Sequence, residues 1–494
     1  MKTIARLATA LWILAAAAPL CADPPSPALR ESEVAFMYAS TPEAYKVYGA
    51  TFVAWGGADT KESVKLHHDL GIRCTGSVWC LTAGAKPLHD DPKLREAVGL
   101  DIEGSPIAVP WLFDQVHEGQ KSLFGNTNHP AFREHVKANV RKVMAGGADG
   151  LHVDDHLGVA SPALWYGGGF DDFSLAAFRT YLAAKVDPAR LKAAGVEDPA
   201  ALDYRAFVRR FAKTAEEVKR KGEEIPLFKE WKEFHLEAAA SFVEELRAVA
   251  AEAAGHPVLL SANACLGNDS HHHVVPRLTH VVCEVWFEAG KGTKSLDGAL
   301  HAFEAAERLG RPLACTASGH DWAHVKARGA VELARFWIAL TYASGQRFMV
   351  PHPKKQWCFD DKQGTHWYEA PVEEYAPLYR FVRSSAAVLD GYRTAKEIAV
   401  TTPEGIIARP RVKGSAVAIH LVSADYDAEK DRIGPKKDVR LGIRGLPAAV
   451  APAGRMARLL RPGAEPLELP LAVEGDQVTV RVPEAGLWSI LAIE

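Results

Sequence analysis

The sequence predicts an α/β protein: a (β/α)8 TIM barrel followed by a C-terminal all-β sandwich domain. Three observations lead to this fold class. Eight short apolar runs have the length of buried strands, helical patterns separate most of them, and the pattern changes to short alternating runs from about Lys396. A strand followed by a helix, repeated along the chain, is typical of a parallel sheet with right-handed crossovers, and eight such units indicate a β/α barrel.

The eight predicted strands are continuous apolar runs, as expected for strands buried on both faces. They cover residues 34–40, 51–55, 71–79, 150–155, 258–263, 281–287, 312–316 and 348–352.

The helical patterns between these strands mostly end at a glycine, a common helix stop. They cover residues 61–70, 131–144, 295–309, 331–344 and 372–389. The first unit fits less well, because residues 41–49 leave little room for a helix.

The domain organisation follows from these patterns. We expect a signal peptide at 1–22, a catalytic barrel at 23–395 and a β-sandwich at 396–494. Two long segments, 80–130 and 157–256, follow the third and fourth strands as insertions, and the second is largely helical. The sandwich is predicted from alternating runs at 398–401, 405–412, 416–422, 439–443, 467–473 and 478–482, divided by Gly, Pro and Asp.

Composition narrows the classes of protein. The chain has 494 residues, 48% of them hydrophobic, and a formal net charge of −3, without a basic run. Nucleic acid is therefore not an expected partner.

The N-terminus has Lys2 and Arg6, then an apolar stretch, then a cleavable small residue at Ala22, which predicts a secreted or periplasmic protein. Cys21 leaves a lipoprotein as the alternative. Beyond the cleaved signal no membrane association is expected, and the oligomeric state is left open.

Six cysteines follow the signal segment, and four of them lie in or just after predicted strands without CxxC spacing. Small buried hydrophobic residues are the favoured interpretation. A disulfide such as Cys74–Cys80 is the alternative in an oxidising compartment.

Carboxylates end two of the predicted strands, and the period of two along a strand sorts their faces. In the fourth strand His152 and Asp154 share the inner face. In the sixth strand Glu284, Trp286 and Glu288 share it. Asp154 and Glu284 are thus expected to project into one lumen. Two converging carboxyl groups suit glycoside hydrolysis, in which one is nucleophile or base and the other, with a raised pKa, is the acid.

Other acidic residues compete for these catalytic roles. Asp155 is the second candidate nucleophile, since strand ends often twist, and its alternative role is to accept hydrogen bonds from loop amides. Glu288 and Asp321 compete with Glu284 as the acid. Each carboxylate could instead belong to an ion-pair layer inside the barrel.

Histidines near these carboxylates raise the question of a metal. His152 and His156 flank the acids, and His271 to His273 follow the fifth strand. The favoured interpretation is hydrogen bonding to a carboxylate or a substrate hydroxyl, with no metal and no cofactor. A metal site is the alternative.

Aromatic and polar residues at the strand ends predict a sugar site, because an aromatic ring offers an apolar face to sugar C–H groups. The predicted substrate-binding residues, besides His152, Trp286, Glu288 and Asp321, are Trp55, Trp79, Asn263, His320, Trp322 and His352. Trp357, Lys354 and Lys355 lie at the same end.

Two stretches resemble known glycosidases. Asn126-Thr127-Asn128-His129-Pro130 and then Asp149-Gly150-Leu151-His152-Val153-Asp154-Asp155 resemble a signature of glycosidase-like barrels. The Phe170-Asp171-Asp172-Phe173 and Glu230-Trp231 blocks are similar to the insertion after strand four in glycoside hydrolase family 42. The spacing from Asp149 to Asp154 also resembles retaining α-glycosidases, which implies Asp154 as nucleophile. The Asn-Glu pair of family 42 is missing, so its acid/base does not transfer.

The sequence therefore predicts a secreted glycoside hydrolase of the retaining type, acting on an oligo- or polysaccharide. The proposed roles are Asp154 as nucleophile, Glu284 as acid/base, and His152, Asp155 and Asn263 as orienting groups. Two other classes stay open: a non-catalytic carbohydrate-binding barrel and a metal-dependent hydrolase.

Overall fold

The computed structural model describes residues 29–447, 450, 455–475 and 477–494, so the predicted signal segment lies outside the described residues. Eight parallel strands form the centre of the first part of the chain. They are β1 (Ala35–Tyr38), β2 (Phe52–Gly56), β3 (Arg73–Trp79), β4 (Gly150–Asp154), β5 (Leu259–Ala262), β6 (Val281–Val285), β7 (Leu313–Ala317) and β8 (Arg347–Phe348).

These strands belong to two parallel sheets, β1-β2-β3-β4-β5 and β6-β7-β8. Single parallel bridges join the sheets at both edges, Asn263 to Val282 and Phe36 to Val350. Strand order and direction are as predicted, but continuous ladders are missing at these two junctions, so a closed barrel is not confirmed. The reason is local at one junction: β8 has two residues and ends before it can pair at length with β1.

The helices α1 to α16 lie between and after the strands. They are α1 (Pro42–Tyr48), α2 (Lys61–Asp69), α3 (Ala85–Asp90), α4 (Pro92–Glu96), α5 (Pro130–Met144), α6 (Ala160–Trp165), α7 (Asp172–Lys185), α8 (Pro188–Ala193), α9 (Tyr204–Val208), α10 (Ala215–Lys221), α11 (Phe228–Ala254), α12 (Asp297–Arg308), α13 (Gly319–Arg328), α14 (Val331–Ala343), α15 (Val372–Ser384) and α16 (Ala386–Leu389).

The first unit holds a helix after all, because α1 is short and capped at both ends. The Thr41 side chain accepts a hydrogen bond from the Ala44 amide, and Pro42 occupies the first turn. Gly49 ends the helix with φ 69°, a left-handed conformation that glycine adopts without steric cost. Seven residues were enough where the sequence suggested little room.

The two predicted insertions differ in content. Helices α6 to α11 fill the second, and an aromatic cluster around Trp231, Phe178 and Tyr204 gives it a core of its own. The first holds α3, α4 and a short antiparallel ladder of Val116–His117 with Gln120–Lys121. Neither α13, directly after β7, nor the antiparallel hairpin of β9 (Gln356–Asp360) with β10 (Gly364–Tyr368) was predicted.

The C-terminal region is antiparallel β structure. Its strands are β11 (Arg393–Thr394), β12 (Ala399–Thr401), β13 (Ile406–Lys413), β14 (Ala416–Ser423), β15 (Tyr426–Asp427), β16 (Arg432–Ile433), β17 (Lys436–Arg444), β18 (Met456–Leu460), β19 (Leu467–Pro470), β20 (Ala472–Glu474), β21 (Gln477–Ala485) and β22 (Trp488–Ile493). Sheets β11-β13-β14-β22-β18-β19 and β12-β17-β21-β20 enclose one apolar cluster. The predicted run 467–473 is two strands that belong to different sheets.

Candidate active site

The strand faces are arranged as the period of two predicts. Leu151 and Val153 of β4 pack outward with the helices, and so do Val281, Cys283 and Val285 of β6. Val282 points the other way, into an inner apolar layer formed by residues of β1, β2, β5, β7 and the segment after β8. Asp154 and Glu284 continue the inner faces of β4 and β6, so they stand above this layer at the carboxyl ends of the strands.

Both carboxyl groups line one cavity of about 550 Å³. Other predicted residues also line it: Asp155, Trp55, Trp79, Asn263, Trp286, His320 and Trp357. Residues that were not expected at the site complete the walls, namely Tyr38, Trp111, Leu112, Gln115, Ser318, Gly319, Phe359, Thr365 and Trp367. Trp111, Leu112 and Gln115 come from the first insertion, and Trp357, Phe359, Thr365 and Trp367 come from the β9–β10 hairpin.

Asp154 is a half-buried carboxyl group surrounded by donors. Burial raises its pKa to about 6, because an ionised carboxylate loses its hydration there. Hydrogen bonds from the side chains of Asn263, Trp55 and Trp79 oppose that increase by stabilising the charged form. The Asn263 Nδ2 donates to Oδ1 of Asp154 over 3.2 Å. These donors favour the carboxylate form in which a nucleophile acts.

Glu284 has the higher pKa of the two. Burial and the negative charge of Asp154 raise it to about 7, and Asn263 opposes this as a hydrogen-bond partner. The same amide thus lowers the pKa of both acids. Near neutral pH, Asp154 is mostly ionised while Glu284 retains a proton in a large fraction of molecules. Two carboxyl groups whose environments separate their pKa values are suited to opposite roles in acid–base chemistry.

Asp155 lies beside the pair in a strained backbone conformation. Its φ is 45°, which is uncommon for a residue with a side chain. Burial raises its pKa well above the ordinary value, and the charges of Asp154 and Glu284 raise it further. These effects favour the neutral form of Asp155, which can donate a hydrogen bond. Strain of this kind concentrates at functional sites.

Aromatic rings form most of the remaining wall, and several are open to solvent. Trp286 is 54% exposed, Trp367 is 47% exposed and Trp79 is 41% exposed. Trp286 lies 5.4 Å from the His320 ring, and the Phe359 ring follows at 5.3 Å from His320. Among the described lining residues there is no lysine or arginine. The cavity thus offers apolar faces and acids, with little to attract an anionic ligand.

Several predicted substrate-binding residues do not line the cavity. His152 is fully buried below it, where Nδ1 shares a hydrogen bond with Ser261 Oγ at 2.9 Å and the ring lies 4.7 Å from Trp55. Glu288 points to solvent, has φ 52° and pairs with Lys291 at 2.7 Å. The αL conformation at Glu288 ends the alternation that placed it on the inner face.

Three others serve the scaffold. Asp321 lies in the first turn of α13 and accepts hydrogen bonds from the Phe287 and Ala289 amides, at 2.9 and 2.7 Å. Trp322 is fully buried and donates to Thr316 Oγ1 over 2.9 Å. His352 is buried, with Nε2 at 3.1 Å from the Ala39 carbonyl oxygen. Through these contacts the three residues hold three segments in place: the loop after β6, helix α13 and the end of β8.

Of the histidines proposed as alternative metal ligands, His152 and His156 are buried, whereas His271 and His272 are half-buried and His273 is exposed. His156 Nδ1 is 2.9 Å from the Asn263 carbonyl oxygen, and its ring lies 5.3 Å from that of His271. Burial lowers the pKa of His156 to about 4 and that of His271 to about 3, so both rings are neutral. Of the described residues, the groups that could hold a metal, His68–Cys74–Asp149 and His89–Asp90–His117, lie outside the cavity.

The six described cysteines are free thiols, and all except the half-buried Cys265 are buried. The favoured interpretation, small buried hydrophobic residues, agrees with this arrangement. Within the described part of the chain, no helix is long and apolar enough to cross a membrane.

Comparison with curated proteins finds relatives for part of the chain. No family model matches. An alpha-agarase from Alteromonas agarilytica is 21% identical over 299 residues, which are 59% of this chain and 20% of the relative. An alpha-agarase from Thalassotalea agarivorans is 23% identical over 291 residues, 57% of this chain and 19% of the relative. The chain thus spans about a fifth of the length of these relatives.

Solved structures show the fold class. A cycloisomaltooligosaccharide glucanotransferase from Paenibacillus sp. superposes with a TM-score of 0.58 at 8% identity, covering 93% of this chain and 85% of that one. The maltogenic alpha-amylase AmyB of Thermotoga neapolitana gives 0.52 at 10% identity, with 94% and 99% coverage. The alpha-amylase of Geobacillus thermoleovorans gives 0.52 at 8% identity, with 94% and 99% coverage. The chain shares the fold of these enzymes.

Proposed function

We propose that this protein is a secreted glycoside hydrolase of the retaining type, with a closed (β/α)8 barrel at 23–395 and a β-sandwich at 396–494. The observation on which the proposal rests is the pairing of Asp154 and Glu284 in one aromatic-walled cavity. Their pKa values of about 6 and about 7 differ in the order that the two roles require. Ionised Asp154 attacks the anomeric carbon, while protonated Glu284 gives its proton to the leaving oxygen.

Retention is proposed from the resemblance of the Asp149-to-Asp154 spacing to retaining α-glycosidases. Asn263 donates a hydrogen bond to Asp154 over 3.2 Å and opposes the increase in the pKa of Glu284. Retaining glycosidases need carboxyl groups about 5–5.5 Å apart, whereas inverting enzymes need about 6.5–9.5 Å for a water molecule.

The second half of the reaction uses the same groups in reverse. After the leaving group departs, Glu284 is ionised and takes a proton from water, and the resulting nucleophile cleaves the ester between Asp154 and the sugar. In its neutral form, which burial favours, Asp155 would orient a sugar hydroxyl by donating a hydrogen bond to it. Trp79, Trp286 and Trp367 provide the faces on which sugar rings pack.

A neutral polysaccharide fits this cavity best, because the described lining residues include three acids and no lysine or arginine. Sulfated or uronate-rich chains would meet the ionised Asp154 there and no cation among the described lining residues. The matched relatives are alpha-agarases, so agar is the first polysaccharide to test. Secretion is supported by the charged and apolar pattern of residues 1–22.

The test compares the wild type with Asp154→Asn and Glu284→Gln on agarose and on a panel of aryl glycosides. We expect both variants to lose at least about a thousandfold in kcat, because each removes a group that acts in the transition state. Glu288→Gln, at the exposed end of the same strand, is the matched control and is expected to keep full activity. Wild-type turnover in either cavity variant would contradict the proposal.

Further readouts separate the alternatives. The first-formed product, followed by proton NMR, is expected to keep the anomeric configuration of the substrate, and an inverted product would refute retention. Glycan binding without hydrolysis at any pH would favour a carbohydrate-binding barrel. Loss of activity in a chelator, restored by a metal, would favour a metal-dependent hydrolase.

A further inference from the structure

We propose that His89, Asp90 and His117 form a binding site for a divalent cation of the zinc class, which fastens the loop above the cavity to helix α3. Each residue offers one ligand atom, and these atoms all lie within 4.8 Å of one another. None of the three lines the catalytic cavity. The inference is therefore independent of the proposed hydrolase activity.

The three ligands come from two segments that meet in the first insertion. His89 and Asp90 end α3, and His117 belongs to the short ladder of residues 116–117 with 120–121. His89 Nδ1 is 3.0 Å from Asp90 Oδ1, and the rings of His89 and His117 are 5.4 Å apart. Glu118 Oε2 lies 3.4 Å from His89 Nε2, on the other side of the ring from Asp90, and does not belong to this set of ligand atoms.

This set of atoms matches the ligand chemistry of zinc. Imidazole nitrogen and carboxylate oxygen are its usual partners besides thiolate, with bonds of about 2.0–2.2 Å. Such bonds place neighbouring ligand atoms on the order of 3–4 Å apart, so small rotations of partly exposed side chains bring the three groups into range. The carboxylate of Asp90 also offsets part of the charge of the cation.

The position of the site explains what a bound cation would do. A ladder of two residues on each strand is marginally stable in water on its own. It follows directly on the segment that brings Trp111, Leu112 and Gln115 to the cavity wall. A cation that joins His117 to the end of α3 closes this loop at its base, so it holds that wall in place without touching substrate.

One neighbouring group competes with a cation for the site. Lys86 Nζ lies 2.6 Å from Asp90 Oδ2, one helical turn away. The Lys86 ammonium group pairs with the Asp90 carboxylate when no metal cation is bound. Removing it is expected to tighten zinc binding by about two- to fivefold, the range expected for an exposed ion pair.

The test is a titration of the chelator-treated full chain with zinc chloride, followed by calorimetry. We expect one site of micromolar affinity or better in the wild type, weakened at least tenfold in His89→Ala and in His117→Ala. His256→Ala removes an exposed histidine elsewhere and is expected to bind as the wild type does. Because His89 and His117 are partly exposed, both variants are expected to fold, which circular dichroism checks.

Two results would overturn the proposal: no zinc binding by the wild type, or wild-type affinity in His117→Ala. If His117→Ala binds zinc as the wild type does, the metal binds elsewhere. Cys74→Ala then shows whether it binds at the other group of potential ligands, His68, Cys74 and Asp149. Limited proteolysis gives a second readout. Zinc is expected to protect residues 103–121 from cleavage in the wild type and in Lys86→Ala but not in His117→Ala, and equal protection in all three would refute the role of the cluster.

Discussion

Replacing the buried Glu284 carboxyl group by an amide is expected to stabilise the protein at alkaline pH while it abolishes activity. The reason is that burial and the charge of Asp154 raise the pKa of Glu284 from 4.5 to about 7 in the folded protein. Below pH 4.5 the group is neutral in both folded and unfolded chains and costs nothing. As the pH rises toward 7 the unfolded chain ionises first, so stability falls over that window.

The size of the effect follows from the pKa difference. One pKa unit corresponds to about 1.36 kcal/mol, so a rise from 4.5 to about 7 corresponds to roughly 3 kcal/mol above pH 7. Glu284→Gln removes the charge and keeps the shape of the side chain. We therefore expect the variant to gain about 2–3 kcal/mol near pH 8.5 and close to nothing near pH 4.5, where the wild-type group is already neutral.

Differential scanning calorimetry at the two pH values measures this difference. A gain of that size corresponds to a Tm increase of about 3 °C for a unit as large as the β/α part of the chain. Glu288→Gln is the matched control, because Glu288 is exposed and its pKa is lowered by Lys291 and Ser295. It is expected to show no gain at alkaline pH. An unchanged or lower Tm for Glu284→Gln near pH 8.5 would refute the assignment of a buried, costly carboxyl group at this position.

Three further predictions concern activity. The pH profile of kcat/KM is expected to be a bell with apparent pKa values near 6 and 7, from ionisation of Asp154 and deprotonation of Glu284, and a flat profile between pH 5 and 8 would contradict this. Asn263→Ala removes a donor to Asp154 and is expected to move the acidic limb upward, which a merely structural role would not do. Trp286→Ala is expected to raise KM by about two- to tenfold with a smaller effect on kcat, whereas Phe173→Ala, exposed on the helical insertion, leaves both unchanged.

The sequence could predict those features that depend on neighbours along the chain. Alternation in β4 and β6 sorted inner from outer side chains, so Asp154 and Glu284 could be expected on the inner faces, where the structure has them. The alternation failed at Glu288, because the backbone there turns into an αL conformation that no periodic pattern indicates.

The aromatic residues show a second limit. Trp79, Trp286 and Trp322 all follow strands in a similar way, yet Trp322 is fully buried beside Trp337, and the other two face the cavity. The difference arises because α13 begins directly after β7 and turns Trp322 into the layer beneath it. A helix start capped by Ser318 was a local signal that could have indicated this orientation.

By itself the sequence determined the strand periodicity, the acids at the strand ends and the change to antiparallel structure near Lys396. Only the tertiary structure decided that two remote loops, 110–121 and the β9–β10 hairpin, line the same cavity as these acids and that Asn263 donates a hydrogen bond to Asp154. The physical reason is that the direction of a side chain within a strand is set by local backbone geometry, whereas contacts between residues far apart in the chain depend on how the whole core packs.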